Sequence, residues 1–155
     1  SVIKEQKPEI KAKKQHIARE FAKDIPIIHA DNKLLRMVFQ NLLSNAVKYT
    51  PDEGRIKLSA SLDKTRKNIL LKVSDTGYGI QKNQQNKIFT KLFRADNVRA
   101  RDTEGTGLGL YIVKSIIEHS GGKIWFESEE NKETTFYVLL PLKGMKKYEG
   151  TTSLA

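Results

Sequence analysis

The chain has 155 residues, the usual size of one domain, and with 38% hydrophobic and 30% charged residues it can build a packed core, so neither a disordered chain nor a fibrous repeat fits. It has no Cys, which excludes a disulfide framework, a cysteine-based zinc site and a cysteine nucleophile. A formal net charge of +10 predicts an anionic partner, either a nucleic acid, a lipid surface or a phosphate ligand.

The chain opens in a lysine-rich, helix-like run that starts at Ser1 without an initiator Met, so we interpret it as a piece of a longer protein. No apolar stretch reaches the ~18 residues of a membrane-spanning helix, and the first residues contain no export signal. From Gln15 the sequence is typical of a strand, which we expect to end near residues 26–29. We predict one domain over residues 1–142 and a frayed basic tail over residues 143–155.

A long helix is the clearest element of the sequence. Asp31 or Asn32 can cap its start, and Pro51 stops it. Its apolar positions recur at spacings of three and four residues, which predicts one buried face. These positions are Leu35, Val38, Leu42 and Ala46.

Polar side chains follow the apolar stripe of this helix. Asn41, Asn45 and Lys48 are four and three residues apart, so they share one face, and Tyr49 lies at the same end. One interpretation is an ordinary solvated helix face. The other is a site for a metal and a phosphate, because Mg²⁺ takes hard oxygen ligands such as the amide of Asn45, and the ammonium of Lys48 suits phosphate.

Residues 56–62 and 69–73 alternate between apolar and polar positions, which predicts a hairpin with one buried face. It ends in a turn that contains Asp75, Gly77 and Gly79. An Asx turn that merely closes the strand is one interpretation. The other is that Asp75 accepts a hydrogen bond from the exocyclic amine of a base, while the glycines allow a ligand to approach the backbone.

Residues 82–101 contain six basic residues and one acid, so part of the positive charge is local. Phe89 and Phe93 form an apolar patch just before the most basic part of this segment. Helical core packing is one interpretation of the patch. The other is that the rings anchor a mobile lid, at about residues 94–107, whose arginines swing toward bound phosphates. These arginines are Arg94, Arg99 and Arg101.

Gly105, Gly107 and Gly109 precede a helix that ends at the glycine pair 121–122. The N–H groups and the positive dipole end of such a helix suit phosphate, although turn glycines alone would also explain the spacing. The pattern is neither a Walker loop nor a dinucleotide fingerprint. Two strands, at about residues 123–127 and 134–140, complete the predicted elements.

Four segments stand in order along the chain: Asn41-Leu-Leu-Ser-Asn45-Ala-Val-Lys48-Tyr49-Thr50, Asp75-Thr-Gly77-Tyr-Gly79-Ile80, Phe89-Thr-Lys-Leu-Phe93 and Gly105-Thr-Gly107-Leu-Gly109-Leu110. Together they resemble the N, G1, F and G2 boxes of sensor histidine kinases, and the likeness runs from about residue 31 to residue 142. The resemblance implies the ATP-binding catalytic domain of the GHKL superfamily. Its fold would be an α/β two-layer sandwich, with a mixed β-sheet covered on one face by α-helices (the Bergerat/GHKL ATP-binding fold).

The resemblance also implies the cofactors ATP and Mg²⁺ and a role for each matching residue. Asn45 would bind Mg²⁺, with Asn41 as a second candidate ligand, and Asp75 would contact adenine N6. Catalytic roles at the phosphates would fall to Asn41, Lys48 and Arg94. The other nucleotide-binding residues would be Tyr49, Gly77, Gly79, Ile80, Gly105, Thr106, Gly107, Leu108, Gly109, Leu110 and Thr135.

A late threonine near adenine is a further feature of the family. Here it would be Thr134 or Thr135, and we expect Thr135. The turn before it usually contains glycines in the family, whereas this chain has Asn131, Lys132 and Glu133 at that place.

One position bears on the type of reaction. ATP-hydrolysing members of the superfamily resemble one another in placing a Glu one helical turn before the metal-binding Asn, as a base for water or a hydroxyl group. In this chain Asn41 takes that place, and an amide is not a general base. We therefore expect transfer to an imidazole, which is already nucleophilic when neutral, and little hydrolysis.

In the family the phosphoacceptor His lies on a dimerising helix hairpin, in a His-Glu-x-x-x-Pro-like context. His16, His29 and His119 have other neighbours, so we expect a chain that binds ATP without phosphorylating itself. Its expected partners are that hairpin and, through the whole kinase, a cognate response regulator, in the cytoplasm. The alternatives are a GHKL regulatory module without transfer activity and a basic nucleic-acid-binding domain, which has only the net charge in its favour.

Overall fold

The structure is a computed structural model that describes residues 2–25, 32–90 and 109–143. The proposed lid, including Arg94, and the glycine-loop residues Gly105, Thr106, Gly107 and Leu108 therefore lie outside the described residues, as do residues 26–31 and 144–155. The elements in chain order are α1 Val2–Ala12, β1 His16–Phe21, α2 Asn32–Tyr49, β2 Arg55–Leu62, β3 Asn68–Asp75, a 3₁₀ helix Lys82–Lys87, α3 Gly109–His119, β4 Lys123–Glu129 and β5 Glu133–Pro141.

The five strands form one mixed sheet in the order β1-β2-β3-β5-β4. β1 is parallel to β2, and the other neighbouring pairs are antiparallel. The predicted alternation is confirmed, because apolar side chains face one side at matching positions of the strands. One such row crosses the sheet through Leu58, Val73, Phe136 and Phe126.

The described helices pack on this apolar face of the sheet. α2 and α3 each bury one stripe, as their spacing of three and four residues predicts. The buried residues of these stripes are Val38, Leu42, Leu43, Ala46 and Val47 on α2 and Val113, Ile116 and Ile117 on α3. The opposite face of the sheet is polar and aromatic: Trp125 stacks on Tyr137, with ring centroids 5.2 Å apart. The fold is thus the two-layer sandwich expected from the sequence.

Glycines end α3 where the sequence predicted. Gly121 has a φ of 84°, the left-handed conformation that terminates many helices. A Cβ at Gly122 would lie 2.4 Å from the carbonyl oxygen of Leu139. The chain passes so close to the sheet here that only glycine fits. Among the described helices, none is long and apolar enough to span a membrane.

Candidate nucleotide-binding site

The apolar rows of three strands become polar at the same end of the sheet. β3 places Asp75 after the inward-facing Val73, β5 places Thr134 before Phe136, and β4 places Ser128 after Phe126. Asp75 pairs with Thr134 in the register, and Thr134 pairs with Ser128, so the three polar residues form one row on the face that the helices cover. The core therefore ends in a polar edge between sheet and helices.

The last turn of α2 is held at this edge by side chains from the segment between α1 and β1. The Nζ of Lys13 donates hydrogen bonds to the carbonyls of Val47, at 2.8 Å, and Lys48, at 3.2 Å. The Nε2 of the buried Gln15 donates to the carbonyls of Val47, at 2.9 Å, and Thr50, at 2.8 Å. These bonds satisfy carbonyls that a helix end leaves without an intrahelical partner, and the positive charge of Lys13 complements the helix dipole.

The turn after β3 donates a hydrogen bond to a further carbonyl of that helix end. The backbone N–H of Tyr78 donates to the carbonyl of Tyr49 at 3.1 Å. Gly77 passes so close that a Cβ at this position would lie 2.4 Å from the Tyr49 carbonyl oxygen. Consequently Asp75 and the end of α2 have a fixed separation, and Gly77 is required for it.

Asp75 forms the Asx turn that the sequence suggested. The N–H of Gly77 donates to its Oδ1 at 2.9 Å. This bond engages one carboxylate oxygen and leaves Oδ2 outside the turn. Burial raises the pKa of Asp75 from 3.8 to about 7, although the bond from Gly77 opposes the shift. A partly desolvated carboxylate at the edge of the core is well suited to accept a hydrogen bond from a ligand.

α3 begins against the polar face of α2. The Nδ2 of Asn41 donates to the carbonyl of Met37 at 2.8 Å, which turns its Oδ1 away from the helix backbone. A Cβ at Gly109 would lie 2.9 Å from this Oδ1. Asn41 therefore lies beside the N-terminus of α3, where backbone N–H groups lack intrahelical partners and favour anions. Asn45 and Lys48, both half-buried, follow on the same face of α2.

The structure does not bring Thr135 to this site. Neighbouring residues of a strand point to opposite faces, and Thr135 pairs with Ser74, to which its hydroxyl donates a hydrogen bond of 3.0 Å. Both lie on the face of the sheet that carries Trp125 and Tyr137. The threonine next to Asp75 is Thr134, which is 6% exposed, so Thr134 replaces Thr135 as the candidate residue.

The expected adenine-side residues Gly79 and Ile80 pack on the β4–β5 hairpin. Gly79 has a φ of 69°, and a Cβ there would lie 2.1 Å from the carbonyl oxygen of Glu129. The N–H of Ile80 donates to the Oγ of Ser128 at 2.8 Å. Ser128 was not among the site residues predicted from the sequence, although it continues the inward-facing positions of β4 with a polar residue.

The F-box ring Phe89 packs into the core, the simpler of its two interpretations. Its centroid lies 5.8 Å from that of Phe126 and 6.3 Å from that of Phe136, both in edge-to-face geometry. Leu110 also packs against the core cluster. Phe93 and the proposed lid lie outside the described residues, so the anchoring of a lid stays a prediction.

The oxygen ligands at this edge suit a metal cation that is bound together with phosphate. Among the described residues, no group of three or more His, Asp and Glu side chains is placed to hold a metal ion. The amide oxygens of Asn41 and Asn45 are neutral hard ligands on one helix face. Mg²⁺ is commonly bound by one or two protein oxygens together with substrate phosphates, and the two amides fit that arrangement.

Comparisons with known proteins point to one family and one fold. Residues 30–144 match the family model described as histidine kinase-, DNA gyrase B- and HSP90-like ATPase. Over 130 residues the chain is 43% identical to the adaptive-response sensory kinase SasA of Thermosynechococcus vestitus. The aligned region covers 84% of this chain but only 33% of SasA. The chain thus spans about a third of this curated relative.

Two solved structures are similar along nearly the whole chain. The catalytic domain of the histidine kinase ThkA, in a nucleotide-free form, aligns with a TM-score of 0.76 and 28% identity, over 91% of this chain and 89% of that one. Full-length ShkA in complex with AMPPNP aligns with a TM-score of 0.76 and 29% identity, over 90% of this chain and 28% of ShkA.

Proposed function

This chain belongs to the family of histidine kinase-, DNA gyrase B- and HSP90-like ATPases, and we propose that it is the catalytic domain with which a sensor histidine kinase binds Mg²⁺-ATP and presents the γ-phosphate to a histidine. The acceptor histidine would lie on a dimerisation hairpin of the same kinase, and the phosphate would pass on to a response regulator. The ShkA structure supports the choice of ligand, because AMPPNP is an analogue of ATP.

The observation that carries the proposal is the meeting of three segments at one edge. The polar face of α2, the carboxylate of Asp75 and the N-terminus of α3 are joined by close contacts at Asn41, Gly77 and Gly109. A carboxylate suits the exocyclic amine of adenine, and a helix N-terminus suits phosphate. A nucleoside triphosphate has both features, at its two ends.

Within this proposal each residue has a distinct task. Asp75 accepts a hydrogen bond from adenine N6, Gly79 and Ile80 form the wall beside the base, and Tyr49 borders the nucleotide. Asn45, with help from Asn41, holds Mg²⁺, which neutralises phosphate charge. The ammonium of Lys48 binds phosphate. Arg94 and the loop at residues 105–108 would complete the phosphate site.

Titration calorimetry with ATP tests the proposal. We expect saturable binding that weakens when EDTA removes Mg²⁺, and a loss of roughly ten- to a hundredfold in affinity in Asp75→Asn, because the amide presents a donor to the donor at N6. Ser74→Ala is the control, since Ser74 precedes Asp75 but faces the other side of the sheet.

Two results would contradict the proposal. One is binding of ATP that Asp75→Asn leaves unchanged. The other is weak binding that is insensitive to Mg²⁺ and disappears at high salt, which would instead support the basic nucleic-acid binder.

A further inference from the structure

The hydroxyl group of Ser128 joins three segments around the proposed adenine site. It accepts a hydrogen bond from the N–H of Ile80 at 2.8 Å and donates one to the carbonyl of Glu133 at 3.1 Å. It also lies 2.7 Å from the Oγ1 of Thr134, a distance at which one of the two hydroxyls donates a hydrogen bond to the other. Ser128 thus links the loop after Asp75 with the hairpin that carries Thr134.

The proton count determines which hydroxyl donates in this pair. A serine hydroxyl has one proton to donate and two lone pairs to accept with. The Ser128 proton is used in the bond to the Glu133 carbonyl, which cannot donate in return. The proton between the two hydroxyls therefore comes from Thr134, and Ser128 accepts it with its second lone pair.

The direction of that bond sets the chemistry of the pocket wall. Thr134 donates its only hydroxyl proton to Ser128, so its Oγ1 can act toward any further partner only as a hydrogen-bond acceptor. Its register partner on the same face is Asp75, whose carboxylate in the ionised form also only accepts. Adjacent side chains on paired strands lie about 5 Å apart, so the two acceptors line one wall.

We propose that Ser128 is a positioning residue that fixes Thr134 as a hydrogen-bond acceptor and thereby makes the site select a purine with a 6-amino group over one with a 6-oxo group. The inference rests on the proposed function. A 6-amino group has two N–H donors for the two acceptors, whereas a 6-oxo purine has only its N1–H and turns the lone pairs of its oxygen toward the other acceptor, and an unpaired buried acceptor is costly.

A second set of hydrogen bonds, made by Gln85, allows the role of Ser128 to be tested without displacing the loop. The Nε2 of Gln85 donates to the carbonyl of Ile80 and to the backbone carbonyl of Ser128, each at 3.1 Å. Neither bond involves the Ser128 hydroxyl. Removing that hydroxyl therefore leaves the loop attached to the hairpin while it frees the proton of Thr134 to point elsewhere.

The experiment compares ATP with inosine triphosphate, which has a 6-oxo group and a protonated N1, in direct binding titrations with Mg²⁺. We expect the wild-type chain to prefer ATP, and Ser128→Ala to reduce that preference about fivefold, the value of one ordinary hydrogen bond. Ser128→Thr, which keeps the hydroxyl, should restore it. Ser74→Ala is the matched control on the other face of the sheet and should leave the preference unchanged.

A merely structural role would weaken both nucleotides by the same factor, and equal losses in Ser128→Ala would overturn the proposal. In a Thr134→Val background, Ser128→Ala should change the preference no further, because Ser128 acts through Thr134; an undiminished effect would also overturn it. Should Ser128→Ala unfold, Ser128→Cys keeps the volume with a much weaker hydrogen-bonding group. Failure of the wild type to bind ATP would instead overturn the proposed function itself.

Discussion

The carboxylate of Asp75, which we assign to adenine, is buried at a cost to the stability of the fold at neutral pH. Its carboxylate ends a strand at the edge of the core, and burial raises its pKa to about 7. In the unfolded chain this carboxylate is not buried, so it keeps the ordinary pKa of 3.8. The charge that would receive adenine is thus held in a place that disfavours it, as is common where stability is exchanged for activity.

This conflict predicts a pH dependence of stability. Between pH 4 and pH 7 the folded protein binds more protons at Asp75 than the unfolded chain, so the contribution of this group to stability is present at low pH and is lost as the pH rises through the window. At pH 8 we expect Asp75→Asn to be more stable than wild type by on the order of 2–4 kcal/mol, whereas at pH 4 the two should be similar. Urea unfolding at both values measures this. A difference that does not vary with pH would contradict it.

Two glycines of the site should respond differently to the same substitution. In Gly77→Ala the new methyl meets the backbone carbonyl of Tyr49, which cannot move without the helix, so we expect a loss of more than ~2 kcal/mol in stability. In Gly109→Ala the methyl meets the end of the Asn41 side chain, which can rotate. We therefore expect near-normal thermal unfolding of Gly109→Ala but weaker binding of Mg²⁺-ATP, and the reverse order of stabilities would be inconsistent with the structure.

At the scale of elements, the position of α2 depends on its C-terminal cap. Lys13 and Gln15 donate to the carbonyls of Val47 and Lys48 in its last turn and of Thr50, which directly follows the helix. The segment after α1 therefore holds the end of the helix that we assign to phosphate and metal.

Substitution of either donor should loosen that end. We expect Gln15→Leu to cost about 1–3 kcal/mol of stability, because it leaves the buried carbonyl of Thr50 unpaired, and Lys13→Met to cost about 1 kcal/mol. Both should also weaken ATP binding. Lys11→Met, on the exposed surface of α1, is the control for loss of a charge. Amide hydrogen exchange of the last turn of α2 reports the change directly, and unaltered exchange in both variants would refute it.

Local sequence patterns were sufficient for most elements and insufficient for long-range placement. The alternation in residues 56–62 and 69–73 and the spacing along α2 are confirmed as β2, β3 and a helix with one buried face. The choice between Thr134 and Thr135 depends on which face of β5 meets the helices, and the pairing of β5 with β3 decides that. The bond from Gln15 to Thr50 joins residues 35 positions apart, so no local pattern indicates it.

At the scale of the molecule, the site is the polar end of the core rather than a separate structure. The inward-facing rows of β3, β5 and β4 run through Val73, Phe136 and Phe126 and end in Asp75, Thr134 and Ser128. Because these residues continue rows that the core fixes, their relative positions are as well defined as those of the apolar side chains. The lid expected at about residues 94–107 lies outside the described residues, so its closing over this edge stays a prediction.

Two histidines, His16 and His119, lie in the part of the chain that the structure describes. His16 lies exposed on the edge strand β1, and the Nδ1 of His119 lies 2.7 Å from the carbonyl of Ser115 in the last turn of α3. Neither belongs to the polar edge that we assign to ATP. With radiolabelled Mg²⁺-ATP we therefore expect no acid-labile phosphate on this chain alone, and little free phosphate, because Asn41 cannot act as a general base toward water.

Addition of a separately produced dimerisation hairpin that carries an acceptor histidine should restore transfer, with the label on the hairpin. Asn45→Ala should abolish that labelling while the fold persists, because the half-buried amide contributes little to the core but would hold the metal. Acid-labile phosphate on the isolated chain would show that the acceptor lies within these residues. Rapid release of inorganic phosphate without the hairpin would place the protein with the hydrolysing members of its family, since the γ-phosphate would then be attacked by water rather than by an imidazole.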